Sequence, residues 1–182
     1  MLIADIMPVY HFREYHAKTI HGSGSHIYRT ARHLRFSDAP LTPLLFRLRG
    51  IPRSVSGMEQ LEQMGFVRLA EIPGEEFVLG LVGKFWTLRG SVVPITSKEF
   101  TCFDKKGYAK AVWNFSVHPI DDNTARLATE TRIQCTDAKS RRRFSSYWRL
   151  IRPFSGCIRK SILGAVKRRI EQPTGPGEAA DG

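Results

Sequence analysis

The chain has 182 residues, 42% of them hydrophobic, and a formal net charge of +11, which is enough apolar material for one core of ordinary size. Its three cysteines, Cys102, Cys135 and Cys157, show neither the pairing of a secreted disulfide framework nor the close spacing of a zinc site, and this predicts a reducing, cytoplasmic setting. No run approaches the ~20 consecutive apolar residues of a membrane span, and residues 1 to 12, broken by Asp5 and Pro8, read as an ordinary N-terminus and not as a signal peptide.

His11 to His21 predicts a first strand, closed by the flexible run Gly22-Ser23-Gly24-Ser25. Its alternation is too imperfect to say which face is buried. Ser25 suits the N-cap of a helix carrying Ile27, Tyr28, Ala31 and Leu34 and stopping near Ser37. Pro40 and Pro43 open a second short helix through Leu44, Leu45, Phe46 and Leu48, which Gly50 and Pro52 close. Met58, Leu61 and Met64 add a brief helical piece before Gly65.

Phe66 to Ile72 and Glu76 to Trp86 predict two strands joined as a hairpin by Pro73-Gly74. Phe100 to Asp104 reads as a weaker strand. After the turn Lys105-Lys106-Gly107, the strand Tyr108 to His118 places Ala109, Ala111, Trp113, Phe115 and Val117 on one apolar, inward face. Asp121-Asp122-Asn123 then loops into Ala125 to Cys135, where Leu127, Thr129, Thr131, Ile133 and Cys135 share the inward side. That face carries two hydroxyls.

The last quarter of the chain predicts one long amphipathic helix from about Thr136 to Glu171, capped by Thr136 or Asp137. Phe144, Trp148, Ile151, Ile158, Ile162, Ala165 and Ile170 recur at three- to four-residue spacing, flanked by Tyr147, Phe154 and Val166. A helix of that extent spans roughly 50 Å and needs a broad curved sheet to cover its stripe. Pro153 predicts a kink or break between Ile151 and Ser155. The segment from Asp137 to Gln172 holds 11 Lys or Arg against only Asp137 and Glu171. Arg141, Arg142, Arg143, Arg149, Arg152, Arg159, Lys160, Lys167, Arg168 and Arg169 therefore read as its solvated face. Residues 173 to 182 are too poor in apolar side chains to pack and read as a disordered tail.

The order of strand, two short helices, antiparallel strands and long C-terminal helix resembles the α+β helix-grip fold of the START-like, or SRPBCC, superfamily of polyketide cyclases and Bet v 1-like proteins. Local phrases carry the same resemblance: Gly80-Leu81-Val82-Gly83-Lys84-Phe85-Trp86, Gly107 through Phe115, Thr129-Glu130-Thr131-Arg132 and Tyr147-Trp148-Arg149-Leu150-Ile151-Arg152-Pro153-Phe154. They are similar to phrases in bacterial members without an assigned activity. The resemblance covers residues 10 to 171 and implies a single domain over 1–172: a curved antiparallel sheet wrapped around the long helix, with a hydrophobic cavity between them. It implies no catalytic signature, because members of the superfamily share a cavity and differ in chemistry.

Several side chains could carry chemistry. Phe85, Trp113, Phe115 and Trp148, with Tyr147 and Ile151, are the expected walls of a ligand site between sheet and helix. A filled aromatic core is the competing account. Thr129 and Thr131 interrupt the apolar face, where buried hydroxyls need partners in the protein, water or a ligand. His11 and His21 share a strand face and His16 projects from the other, but none falls in a metal-ligand pattern, so hydrogen-bonded histidines are the simpler reading and no metal or cofactor is expected. His118 belongs outside by parity. Glu130 and Arg132 could form an acid or anion-binding pair, though an exposed cross-strand charge pattern is the simpler expectation. Cys135 and Cys157 read as small hydrophobes, and neither a GxSxG elbow nor a Walker sequence is present.

Three functions remain open at this point. The first is binding of a small hydrophobic or aromatic molecule. The second is a cyclase or aromatase acting on a polyketide-like substrate, which ranks lower because no convergent acid–base pair is visible. The third is attachment to nucleic acid or an anionic membrane through the basic helix, with no zinc-finger or RNP-like phrase to support sequence-specific recognition. Ligand identity and oligomeric state are not encoded in any motif.

Overall fold

A computed structural model of the chain describes residues 1–38, 57, 58, 61, 65–87 and 91–172. Five strands, β1 (Phe12–His21), β2 (Val67–Ile72), β3 (Glu76–Gly83), β4 (Ala109–Asp121) and β5 (Thr124–Cys135), form one curved antiparallel sheet in the order β1-β5-β4-β3-β2. Four α-helices accompany them among the described residues: α1 (Leu2–Ile6), α2 (Gly24–Arg32), α3 (Ser97–Cys102) and α4 (Ala138–Glu171).

Turn chemistry sets the register. Gly74, at φ +87°, makes the β2–β3 turn that a side chain would strain. Between β4 and β5 the backbone N–H of Asn123 donates to the Asp121 carboxylate, and Asp121 pairs with Thr124. β1 then adds to the free edge of β5, with Phe12 opposite Ile133 and His16 opposite Thr129.

Both sheet faces are covered, which is why every β3 residue except Leu81 is buried. On the concave side Phe77, Leu79, Trp113, Phe115 and Leu127 pack against Ile158, Ile162 and Val166 of α4 and Ile27 and Ala31 of α2. On the convex side Val78, Val82 and Val112 pack with Ile3, Met7 and Phe100 of the α1 and α3 regions. The period-2 pattern of β4 and β5 predicts the concave face correctly.

Some boundaries differ from the sequence reading. Phe100 to Asp104 is not a strand. Thr96 and Glu99 form a reciprocal capping box that nucleates α3, and Phe100 turns onto the convex face of the sheet. The helix after β1 starts at Gly24 beyond Ser23, not Ser25, and ends at Arg32 instead of Ser37. It stops there because Leu34 and Phe36 leave the helix to bury in the core, while Arg35 bridges to Gly57. β3 ends at Gly83, and Phe85 and Trp86 lie in the following turn. Met58 and Leu61 are buried in the core. The helix expected from Pro40 to Leu48 and the tail from residue 173 lie outside the described residues.

Asp137 is the cap of α4, accepting a 2.9 Å bond from the Ser140 N–H. The break expected at Pro153 does not occur, and α4 runs continuously through it. Pro153 removes the donor for the Arg149 carbonyl, and both residues lie on the exposed side of the helix, where that carbonyl faces solvent instead of the core. Among the described residues no helix is long and apolar enough to cross a membrane.

Candidate functional site

β1 is an edge strand lying against α4. Its even-numbered residues turn toward the helix, with Phe12 at one end and Ile20 at the other in the apolar clusters. By the same parity Glu14 and His16 enter the seam between sheet and helix. The first strand therefore buries a carboxylate where an apolar side chain is the ordinary occupant.

Glu14 is 6% exposed and His16 is 20% exposed, and His16 Nε2 lies 3.0 Å from Glu14 Oε1. No hydrogen bond reaches Glu14 Oε2, which has Arg159 Nη1 at 3.9 Å. Across the seam stands Gly156. A Cβ there would come within 2.8 Å of Glu14 Oε1 and 3.3 Å of His16 Nε2, so the helix approaches the pair this closely only with glycine at that position.

One turn along α4, Arg159 is buried and does not belong to the solvated face where the sequence reading placed it. The inward face of the helix is not purely apolar at this level: Nη1 of Arg159 donates to Ser155 Oγ and Nη2 to Thr131 Oγ1. Its guanidinium lies 5.2 Å from the centre of the Trp113 ring, a cation–π arrangement that holds the charge over an aromatic face. Trp113 in turn donates Nε1–H to Thr129 Oγ1 at 2.7 Å. A polar chain thus runs from the seam into the sheet.

The seam opens as a cleft of about 390 Å³. β1 contributes Arg13, Glu14, Tyr15 and His16, and α4 contributes Arg152, Pro153, Gly156, Cys157 and Lys160. Its floor holds the buried carboxylate with its imidazole, and α4 sets Arg152, Pro153 and Lys160 along its rim, while Arg13 and Tyr15 edge it from β1 with their side chains turned to the convex face beside Arg132 and Glu130. Arg13 is anchored to Glu130 at 2.7 Å and placed 5.6 Å from the Tyr15 ring, whereas Arg152 and Lys160 are exposed. Such a rim attracts an anion, and its apolar walls suit a ring or short chain.

The sheet, the long helix on its concave face and the seam between them are the features of one architecture. The chain has a helix-grip fold. Solved structures similar to this helix-grip chain include a conserved protein from Geobacillus kaustophilus, at 9% identity and TM-score 0.46, covering 87% of this chain and 95% of that one. The Zhui aromatase/cyclase from Streptomyces sp. R1128 is similar at 10% identity and TM-score 0.38, over 90% of this chain and 98% of that one. Truncated norcoclaurine synthase from Thalictrum flavum is similar at 9% identity and TM-score 0.38, over 88% and 94%. No protein-family model and no curated protein sequence matches the chain.

Within the helix-grip frame the expected site residues separate into two groups. Phe85, Tyr147 and Trp148 gather around buried Phe144, with ring centres 6.3, 5.6 and 5.7 Å from it. Ile151 is half-buried on the next turn. Trp113 and Phe115 lie deeper, 5.1 Å apart, in the cluster that contains Phe77 and Ile162. The Thr129 hydroxyl accepts from Trp113 and donates to the Asn114 carbonyl at 2.7 Å, and Thr131 is held by Arg159.

The charged pair Glu130–Arg132 on the convex face is covered, not exposed. Glu130 is 2% exposed, not part of an open cross-strand pattern, because α1 and the chain after it cover that face. Arg13 and Arg132 each donate to its carboxylate at 2.7 Å, and Arg132 also donates to the Met7 carbonyl. Desolvation pushes the Glu130 carboxyl up and the two guanidiniums more than offset it, so its pKa is lowered. The histidines are dispersed: His11 Nδ1 accepts from the Cys135 N–H, and His118 bonds Ser116 on the convex face. Among the described residues no group of three or more His, Cys, Asp or Glu is placed to hold a metal ion.

Glu14, Gly156 and Arg159 were missed as site residues because each is unremarkable alone. The available signal was joint: an acid and a histidine two apart in a strand, and a glycine inside a long helix near an arginine on its apolar side.

Proposed function

We propose that the protein binds a small molecule with an aromatic or otherwise apolar body and an anionic group, seated in the cleft between β1 and α4. The observation that carries this reading is the Glu14–His16 pair at the floor of the cleft, beneath a rim that carries Arg152 and Lys160. Burying a carboxylate without satisfying both oxygens costs about 1–3 kcal/mol or more. A fold-only role would be met more favourably by an apolar side chain at position 14.

The anion sits against Arg152 and Lys160, and the apolar body lies along Pro153. Phe85, Tyr147 and Trp148 pack around Phe144 next to the cleft rather than lining it, and connect to it through Phe12, whose ring meets Trp148 two residues before Glu14, with half-buried Ile151 on the turn between Trp148 and the cleft. Trp113, Phe115, Thr129 and Thr131 support the floor from behind, Thr131 through its bond to Arg159.

The test uses 1-anilinonaphthalene-8-sulfonate, an aromatic sulfonate, in fluorescence titration beside a thermal-shift measurement. Saturable fluorescence with a rise in Tm supports the reading, because a ligand specific for the folded state must stabilise it. The double charge reversal Arg152→Glu with Lys160→Glu should abolish both signals. Binding unchanged in that variant, or binding that lowers Tm, overturns the reading.

A further inference from the structure

The cleft floor has more organisation than binding requires. Glu14 is buried behind His16, and His16 is the member of the pair that retains exposure to the cleft. An ionised carboxylate only accepts hydrogen bonds, so the 3.0 Å contact fixes the proton of the neutral imidazole on Nε2. Nδ1 is then the basic nitrogen. Arg159 lies beside Glu14, its Nη1 3.9 Å from Oε2, and is itself fixed by Ser155 and Thr131, so a positioned cation stands against the carboxylate. Gly156 lets the helix close over the pair.

We propose that the cleft is a proton-transfer site in which His16 is the general base, Glu14 and Arg159 position it, and the substrate is a carbon acid of the aryl 2-oxo acid type. This deepens the binding reading above and rests on it. The substrate class follows from the cleft: an aromatic ring to stack on the Pro153 ring, a carboxylate for Arg152 and Lys160, and a carbonyl beside an acidic C–H for the base. In the reaction the C–H bond breaks and its proton moves to His16 Nδ1. The electron pair forms the C=C bond of an enolate, whose oxygen takes the negative charge and faces the cationic rim. Return of the proton from the imidazolium to oxygen gives the enol, and return to carbon regenerates the ketone. No oxidant, reductant or further reactant is consumed.

The experiment follows the methylene protons of phenylpyruvate in D2O by NMR, with wild-type protein, His16→Gln and Glu14→Gln, while thermal shift on the same samples reports binding. Wild-type protein should raise the exchange rate about 100-fold over buffer, the lower range for a positioned general base. His16→Gln should bind phenylpyruvate and exchange it at the buffer rate. Glu14→Gln should lose about 10-fold or more, because the amide donates to Nε2 and moves the imidazole proton onto Nδ1.

A purely structural Glu14 would lower stability without changing the histidine tautomer. Nitrogen chemical shifts of His16 therefore provide a second readout, expected to show the Nε2–H form in wild-type protein even if Glu14→Gln folds poorly. Phenylpyruvate that binds and exchanges at the buffer rate, or a wild-type His16 in the Nδ1–H form, overturns the proton-transfer proposal alone. Failure of both phenylpyruvate and the aromatic sulfonate to bind overturns the binding reading and the proposal together.

Discussion

The Trp113 indole donates to Thr129 Oγ1 at 2.7 Å, and the same hydroxyl donates to the Asn114 carbonyl across the β4–β5 pair. One threonine thus satisfies a buried aromatic donor and a buried backbone acceptor. Thr129→Val keeps the shape and β-branching but leaves the indole N–H without its acceptor. It should destabilise the protein by about 1–3 kcal/mol in urea unfolding. An unchanged midpoint would show that this hydroxyl contributes nothing to the core.

Two glycines in α4 should respond oppositely to the same substitution. At Gly164 an added Cβ meets Arg168 Nη1 at 3.5 Å and Lys18 Nζ at 3.8 Å, ordinary contacts, so Gly164→Ala should stabilise by about 0.5–1 kcal/mol through helix propensity. At Gly156 the same Cβ would stand 2.8 Å from Glu14 Oε1, in a carboxylate pinned beside His16. Gly156→Ala should therefore lose that gain and fall below wild-type stability. Equal effects of the two substitutions in thermal unfolding would contradict the close approach of α4 to β1.

The cap of α4 should show in the pH dependence of stability. Hydrogen bonds from Ser140, then from the Gly107 backbone, hold the Asp137 carboxyl well below the usual carboxylate range. Its folded-state value is thus depressed, and the stability it contributes is present above the unfolded value of about 3.9 and is lost as pH falls toward the folded one. Asp137→Ala should lower Tm by several degrees at pH 7, and the gap to wild type should narrow progressively below about pH 4. A gap that stays constant with pH would remove ionised Asp137 as its source.

How much of this was legible in the chain varies with the kind of constraint. β4 and β5 were readable because one face of each is apolar and the period is strict, and the final helix because its stripe persists over 34 residues. α3 was misread because Phe100 and Phe103 suggest a strand, while the deciding signal, Thr96 with Glu99, acts through capping and not hydropathy. Glu130 reads as exposed because it alternates with the inward residues of β5, and Arg159 because it is charged. Burial of both depends on partners distant in sequence, Arg13 in one case and Glu14 and Thr131 in the other. The seam at Glu14 and His16 was hidden for the same reason: only the pairing of β1 with β5 and the position of Gly156 determine which strand face meets the helix.

Cys157 offers the most direct measurement on the proposed ligand cleft. It is exposed on the α4 wall, while Cys102 is exposed on α3 and Cys135 is buried, with burial pushing its thiol up to about 12. The rate of iodoacetamide alkylation at Cys157 should fall in proportion to occupancy by 1-anilinonaphthalene-8-sulfonate, with Cys102 as the internal reference at an unchanged rate. Cys157 and Cys102 slowing alike, or Cys157 reacting at its unliganded rate under saturating probe, would contradict a ligand site between β1 and the C-terminal helix.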